Sequence, residues 1–338
     1  MEIVLGLLII AIGSFGQSSS YVPINKIKKW SWESFWLVQG IFAWLIFPLC
    51  GALLAVPDGS SLGAIISSNP SAALKAGFFG MLWGVGGLTF GLSMRYLGVA
   101  LGQSIALGTC SAFGTIIPAI IVGENLFKGS GLILLIGVCV TLAGIFVIGY
   151  AGSLRDKNMS EEEKRKAVKD FALGKGLAVA LLAGVMSACF NLGLQAGESL
   201  TVEGTSELFA SLPATLMVTI GGFITNASYC LWQNGKNKTF SDYKEKGVFV
   251  RNLLFCALAG LLWYSQFFGL SVGKSFLVDS PIMLAFSWSI LMALNVVFSN
   301  VWGIVLKEWK GAGKSTAVVL TIGMAILILS AFLPNFLS

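Results

Sequence analysis

The sequence predicts an all-α polytopic membrane protein with about ten transmembrane helices, arranged as two inverted five-helix repeats. Three observations lead to this fold class. The 338 residues are 56% hydrophobic and only 11% charged, against roughly 25% charged residues in typical soluble domains. The charges are clustered, which leaves apolar runs of about 20 residues, the length that crosses a bilayer as a helix. Short motifs also recur in the two halves of the chain.

Hydropathy divides the chain into ten candidate spans. Arg95 separates the third from the fourth, because a charged residue marks a water interface. The first span is interpreted as a retained helix and not as a signal peptide, since Glu2 stands at its amino end and a lysine cluster beginning at Lys26 follows it. The predicted spans are residues 3–24, 35–56, 76–95, 101–122, 130–150, 176–196, 208–231, 252–273, 281–305 and 316–335.

Basic residues predict the orientation of the chain, because Lys and Arg in short loops are retained in the cytoplasm. Of the 22 basic residues, 19 fall in loops on one side, and only Lys75, Lys128 and Lys274 fall on the other. Both termini are therefore predicted to be periplasmic. The net charge of +6 is explained by this bias, and no nucleic acid is expected as a partner.

The two halves of the chain share a pattern, Gly-x-x-Trp followed by Phe-Gly-Leu-Ser, in residues 80–93 and 260–271. Because each half has an odd number of helices, the second copy would enter the membrane in the opposite orientation, as in many transporters. The predicted organisation is a first repeat at residues 1–150, a cytoplasmic loop at 151–175 and a second repeat at 176–338. Chance similarity between apolar segments is the alternative.

Glycines in the third span follow helical spacing, at Gly80, Gly84, Gly87 and Gly91. Small residues three and four positions apart let helices approach closely in lipid. We interpret this face as a packing seam and not as a substrate contact.

Neutral polar and aromatic residues inside the spans predict a binding site. Polar groups in hydrocarbon are costly unless they face a cavity or one another, and bridging between helices is the alternative role of each one. Amides donate and accept hydrogen bonds as sugar hydroxyls do, and an aromatic face can cover the apolar side of a sugar ring. An uncharged sugar is therefore the expected ligand. The predicted substrate-binding residues are Gln17, Trp83, Asn191, Gln195, Trp263, Gln266 and Trp288.

Several other classes of protein are disfavoured. The segment Gly311 to Thr316 resembles a phosphate-binding loop, but Glu308 stands where that motif needs its first glycine, and a membrane span precedes it. The chain has no histidine, the commonest acid–base residue, and its six cysteines show no metal-site spacing. We expect no enzyme activity, no cofactor, no metal and no nucleotide. The expected partners are a sugar, a coupling proton and membrane lipid.

A proton-coupled carrier needs an ionisable group that its cavity can protonate, yet no carboxylate lies in the middle of a span. The nearest are Asp279, just before Pro281 at the start of the ninth span, and Glu124 at the end of the fourth. Asp279 is the preferred proton-coupling residue. The alternatives are that it is a simple interfacial acid, or that transport is coupled to sodium or uncoupled.

Six motifs spread along nearly the whole chain carry a family resemblance. They are Tyr21-Val-Pro, Lys28-Lys-Trp-Ser-Trp-Glu33, Met94-Arg-Tyr-Leu-Gly98, Trp263-Tyr-Ser-Gln-Phe-Phe268, Ser287-Trp288 and Val305-Leu-Lys-Glu-Trp309. Together they resemble the L-rhamnose/proton symporter family, RhaT, of the drug/metabolite transporter superfamily. The resemblance implies a ten-helix carrier of bacterial inner membranes that takes up L-rhamnose, a 6-deoxy sugar, with protons by alternating access. A carrier for another sugar or small metabolite, or an exporter, is the alternative.

One stretch departs from the family pattern. Better-known members have a polar, aromatic and acidic run just before the Ser-Trp pair, where this chain has Ile282 to Phe286. Its acid lies earlier, at Asp279. The departure bears on the proton site and on the exact sugar.

Overall fold

The computed structural model describes residues 2–158, 160, 162 and 172–337. Within this part of the chain, ten helical segments are long and apolar enough to cross a membrane, which confirms the predicted number. They are α1 (Glu2–Ile24), α2 (Trp32–Leu53), α3 (Pro70–Leu97), α4 (Leu101–Ile121), α5 (Gly129–Arg155), α6 (Leu173–Ala196), α7 (Glu207–Asn237), α8 (Phe249–Ser275), α9 (Pro281–Val305) and α10 (Lys314–Pro334). Residues 163–171 of the predicted central loop lie outside the described residues.

The local structure differs from the predicted spans at several helix ends and inside α2. Segment α3 begins at Pro70, six residues earlier than predicted, because polar residues in its first turns hid the start from hydropathy. A short helix at Leu62–Ser68 precedes it, capped by the Ser61 hydroxyl, which accepts the backbone N–H of Ala64 at 3.1 Å. The middle of α2 is π-helical over Ile41–Ile46.

The described chain forms two compact units. The first unit comprises Met1–Val85 with Cys189–Phe276, and the second comprises Gly86–Ala188 with Leu277–Ser338. Segments α3 and α6 therefore contribute residues to both units. Each unit contains residues from both halves of the sequence, whereas the predicted inverted repeats divide the chain into a first and a second half. The inverted repeats stay a prediction.

Close helix packing in the first unit depends on glycine. A side chain added at Gly13 of α1 would place its Cβ 2.7 Å from the carbonyl oxygen of Ser265 in α8, and the Ser265 hydroxyl donates to the Gly13 carbonyl at 3.2 Å. Gly80 and Gly84 of α3 lie in the same way against α7, where a Cβ at Gly84 would approach Thr225 Cβ to 2.6 Å. These two glycines form the packing seam that their spacing predicts.

In the second unit, buried polar pairs join α4 to α9. The hydroxyls of Ser111 and Ser289 lie 2.6 Å apart, and the Asn300 amide donates to the Ser104 hydroxyl at 2.7 Å. All four side chains are fully buried. Because lipid offers no hydrogen-bond partners, such groups must satisfy one another inside the bundle.

Hydrogen bonds to two carboxylates connect the start of α2 with the end of α7 and with the link between α7 and α8. Asp242 accepts hydrogen bonds from both the backbone N–H and the hydroxyl of Ser31, each at 2.7 Å. Glu33 accepts from the side chains of Asn237 and Thr239, each at 2.9 Å. Partial burial of Asp242 favours its neutral form, but the hydrogen bonds from Ser31 outweigh this effect and hold the pKa of its carboxyl below the usual value.

We expect this attachment to weaken in acid. Since the pKa of Asp242 is lowered in the folded state, its contribution to stability is complete above its unfolded pKa of about 4 and is lost as the pH falls through the folded pKa. Asp242→Ala should lower the unfolding temperature in detergent at pH 7 by about 2–4 °C. The difference from wild type should shrink toward pH 3.

The control for this experiment is Asp58→Ala, which removes an exposed carboxylate from the loop between α2 and α3. It should leave the unfolding temperature unchanged at both pH values. An Asp242→Ala deficit that stays constant between pH 7 and pH 3 would contradict the assignment of the effect to the ionised carboxyl.

Candidate functional site

A cluster of five aromatic rings lies inside the first unit, and we call it the aromatic cluster: Trp44, Trp83, Phe190, Trp263 and Phe267. The rings of Trp83 and Trp263 have centroids 5.6 Å apart and are inclined by 32°. The indole of Trp44 stands nearly perpendicular to both, at 5.8 Å from Trp83 and 6.1 Å from Trp263. Four helical segments, α2, α3, α6 and α8, therefore each supply at least one ring.

The other side of the aromatic cluster is purely hydrocarbon. Phe190 and Phe267 stack with centroids 4.1 Å apart and an interplanar angle of 7°. Phe190 also meets Trp83 edge to face at 5.0 Å, a favoured geometry for aromatic pairs. Four of the five rings are buried, whereas Trp263 is only half-buried. Trp263 is thus the ring of the cluster that keeps the most accessible surface.

Neighbouring residues explain why these rings can meet inside a helix bundle. Gly222 of α7 leaves room for Trp83, because any Cβ at this position would overlap the indole ring. Trp36 lies about two turns before Trp44 in α2. The two rings meet edge to face with centroids 5.7 Å apart, and Trp36 donates its Nε1–H to Asn226 Oδ1 at 2.9 Å. The cluster is therefore held from α7 as well.

All four predicted amides lie in the first unit, and Gln266 and Gln17 are among its buried residues. Gln266 is 3% exposed and donates from Nε2 to the carbonyl oxygen of Trp263 at 3.1 Å. Residues three apart share a helix face, so Gln266 and Trp263 point the same way. Gln17 of α1 is also 3% exposed, and its Oε1 accepts from the Ser18 hydroxyl at 3.3 Å. Tyr264 turns elsewhere and lies beside Gly51 of α2.

The remaining predicted substrate-binding residues occupy different surroundings. Asn191 of α6 is buried, while Gln195, one turn later, is exposed. Trp288 belongs to the second unit, where its Nε1–H donates to the Cys110 carbonyl at 3.4 Å and its ring lies against Gly114. The predicted roles of these residues stay predictions.

Both predicted proton-coupling acids are exposed and lie in the second unit. Glu124 follows α4 and accepts a hydrogen bond from the Ser130 hydroxyl at 3.2 Å. Asp279 stands two residues before Pro281, where α9 begins as predicted. An acid at this position lies close to the positive end of the helix dipole.

Sequence reasoning did not include Trp44 or Trp36 among the predicted site residues. Trp36 is in fact 5% exposed and packed inward. The available signal was that Trp44 lies in the middle of a span, far from either interface, and that Trp36 lies two turns earlier with Gln39 between them. Among the described residues, no group of three or more His, Cys, Asp or Glu side chains could hold a metal ion.

Ten membrane-crossing segments in the described part of the chain define a multi-pass membrane protein, and an uncharged aromatic cluster lies inside its first unit. A family model described as "L-rhamnose-proton symport protein (RhaT)" matches residues 1–336. The chain belongs to this family, whose members are transport proteins and not enzymes. An L-rhamnose-proton symporter of Yersinia pestis (strain Pestoides F) is 34% identical over 340 residues, 97% of this chain and 96% of the relative. One from Mannheimia succiniciproducens is 33% identical over 342 residues, 98% and 96% of the two chains.

Proposed function

We propose that this protein takes up L-rhamnose or a related 6-deoxy sugar together with protons, by alternating access. Membership of the rhamnose symport family is the observation that carries the proposal. The aromatic cluster supports it, because its side chains are neutral and its accessible ring, Trp263, offers a flat apolar surface. Such a site favours an uncharged ring with one apolar face over an ion.

In this proposal the C–H face of the sugar rests on Trp263 and Trp83, and Gln266 supplies hydrogen bonds to its hydroxyls. Stacking excludes water from the apolar face, and the amide both donates and accepts, as a hydroxyl requires. The 6-deoxy carbon is a methyl group and favours apolar surroundings, and Phe190 and Phe267 make one side of the cluster apolar. Gln17, Asn191, Gln195 and Trp288 remain proposed contacts.

The test is transport by the purified chain in liposomes. Labelled L-rhamnose should accumulate when the interior is alkaline, and accumulation should collapse when a protonophore dissipates the gradient. Counterflow of labelled sugar should persist without a gradient, which separates a carrier from a channel. Accumulation that follows a sodium gradient instead would reject proton coupling, and absence of counterflow for every 6-deoxy sugar would reject the function.

We also propose that the protein lies in a bacterial inner membrane, surrounded by lipid, with both termini in the periplasm. The bias of 19 of 22 basic residues toward one side supports this orientation. A topology reporter fused after Ser338 should be active as a periplasmic fusion, and one inserted within residues 161–169 should be active as a cytoplasmic insertion. Cytoplasmic activity at both sites would contradict the proposed orientation.

A further inference from the structure

Two buried polar atoms in the middle of the first unit have no hydrogen-bond partner: Oε1 of Gln39 and Nε1 of Trp44. Each side chain is only 2% exposed. Both residues belong to α2, and Trp44 is part of the aromatic cluster. An acceptor or donor left unpaired in a membrane interior is costly, so such atoms are retained where something else supplies the missing partner.

Other buried groups also lack partners, among them Tyr264 Oη in α8 of the same unit, but of these residues Trp44 is the one that belongs to the aromatic cluster. The indole nitrogens of Trp30 and Trp309 are unpaired too, but these residues stand outside the membrane-crossing segments. Trp44 is the thirteenth of the 22 residues of α2. Its partner must therefore come from inside the bundle.

The backbone around Trp44 is unusual as well. Residues Ile41–Ile46 form a π-helix, and the backbone N–H of Phe47 bonds to the carbonyl oxygen of Phe42, five residues earlier. A π segment has about one more residue in its turn than an α-helix, and it is rare and occurs frequently at functional sites. Sequence periodicity would place Gln39 and Trp44 about 140° apart on an α-helix, and the wider turn reduces that angle.

Gly40 completes the arrangement. The Trp44 ring lies back along the helix, so that a Cβ at residue 40 would be 2.6 Å from ring atoms Cε3 and Cζ3. The indole therefore covers the backbone directly after Gln39. This geometry places an unpaired acceptor and an unpaired donor five residues apart on one helix, and the ring that carries the donor packs against Trp83 and Trp263.

We propose that Trp44 and Gln39 are specificity-determining residues that bind hydroxyls of the sugar: Trp44 Nε1–H donates to one hydroxyl oxygen, and Gln39 Oε1 accepts from another hydroxyl. The inference rests on the proposed function and deepens it. The ligand class is a neutral polyol, since each of its hydroxyls can both donate and accept and can therefore pair with a lone N–H or with a lone carbonyl oxygen. The apolar face of the same ligand rests on Trp263.

The first experiment measures sugar affinity by calorimetry with the purified full-length chain. Trp44→Phe keeps a ring in the cluster and removes only the unpaired N–H, so we expect its Kd for L-rhamnose to rise about 3- to 10-fold, the effect of one net hydrogen bond. Gln39→Leu should raise Kd similarly. The matched control is Trp36→Phe, which removes an N–H already bonded to Asn226. It should lower the unfolding temperature and leave Kd within about twofold.

The second experiment uses L-rhamnose analogues that each lack one hydroxyl. Wild type should lose affinity for the analogues that lack the hydroxyls bound by Trp44 and Gln39. Trp44→Phe should become insensitive to loss of one particular hydroxyl, because the bond is already absent. The wild-type measurements in this experiment test the proposal even if a variant does not fold.

The outcomes separate this inference from the proposed function. Wild-type affinity in both Trp44→Phe and Gln39→Leu, or equal wild-type affinity for all deoxy analogues, would overturn the hydroxyl assignment while rhamnose transport stands. If Trp44→Phe and Trp36→Phe changed Kd equally, the effect would be one of packing and the assignment would fail. If wild type bound no neutral sugar, the proposed function and this inference would fail together.

Discussion

Trp263→Ala is expected to weaken sugar binding by about 30-fold or more and to abolish measurable uptake. Its ring is the accessible face of the aromatic cluster and lies against Trp83 at 5.6 Å. Truncating an aromatic anchor at the centre of a binding site typically costs at least about 2 kcal/mol, which corresponds to that change in affinity. Sugar binding measured by calorimetry and uptake by the same preparation in liposomes would check this.

Two further variants separate stacking from general disruption. Trp263→Phe retains an aromatic face and should lose much less affinity than Trp263→Ala. Trp232→Ala removes an equally large side chain that is 59% exposed near the end of α7, and it should bind sugar as wild type does. Trp263→Ala with wild-type affinity in a folded protein would show that the sugar lies elsewhere.

Asp279→Asn is expected to lose concentrative uptake and to keep gradient-free exchange. Asp279 is exposed just before α9, so protons can reach it, and asparagine removes the titrating group with little change in size. One proton moving down one pH unit releases about 1.4 kcal/mol, enough for about tenfold accumulation if one proton accompanies each sugar. The variant should therefore lose that tenfold accumulation and equilibrate the sugar across the membrane.

Asp58→Asn is the matched control, because it neutralises another exposed acid in a loop and should accumulate sugar normally. Glu124→Gln tests the second predicted acid in the same assay. If Asp279→Asn still accumulated sugar in response to the pH gradient, Asp279 would be an interfacial acid only. If neither substitution affected accumulation, neither of the two predicted carboxylates would couple proton movement to sugar uptake.

The limits of sequence reasoning are clearest at Trp36 and Trp44. Hydropathy gives a residue its depth in the membrane but not the neighbour that it faces, and a tryptophan near a span end is most often an interfacial anchor. Trp36 faces inward because Asn226 of α7 accepts its N–H and Trp44 packs on its ring. The π-helical turn that contains Trp44 also has no signature in a hydropathy pattern.

Sequence alone determined the ten membrane-crossing segments and the family, because segment length and apolar content follow from the thickness of the bilayer. It also gave Trp83, Trp263 and Gln266 as predicted binding residues, because polar groups inside a span are costly and an aromatic face suits a sugar ring. Only the tertiary structure decided that Trp44 joins them and that Trp288 packs in a different unit. The reason is that contacts between segments distant in the chain depend on side-chain fit and local helix geometry, such as the π turn in α2, and not on the composition of any one segment.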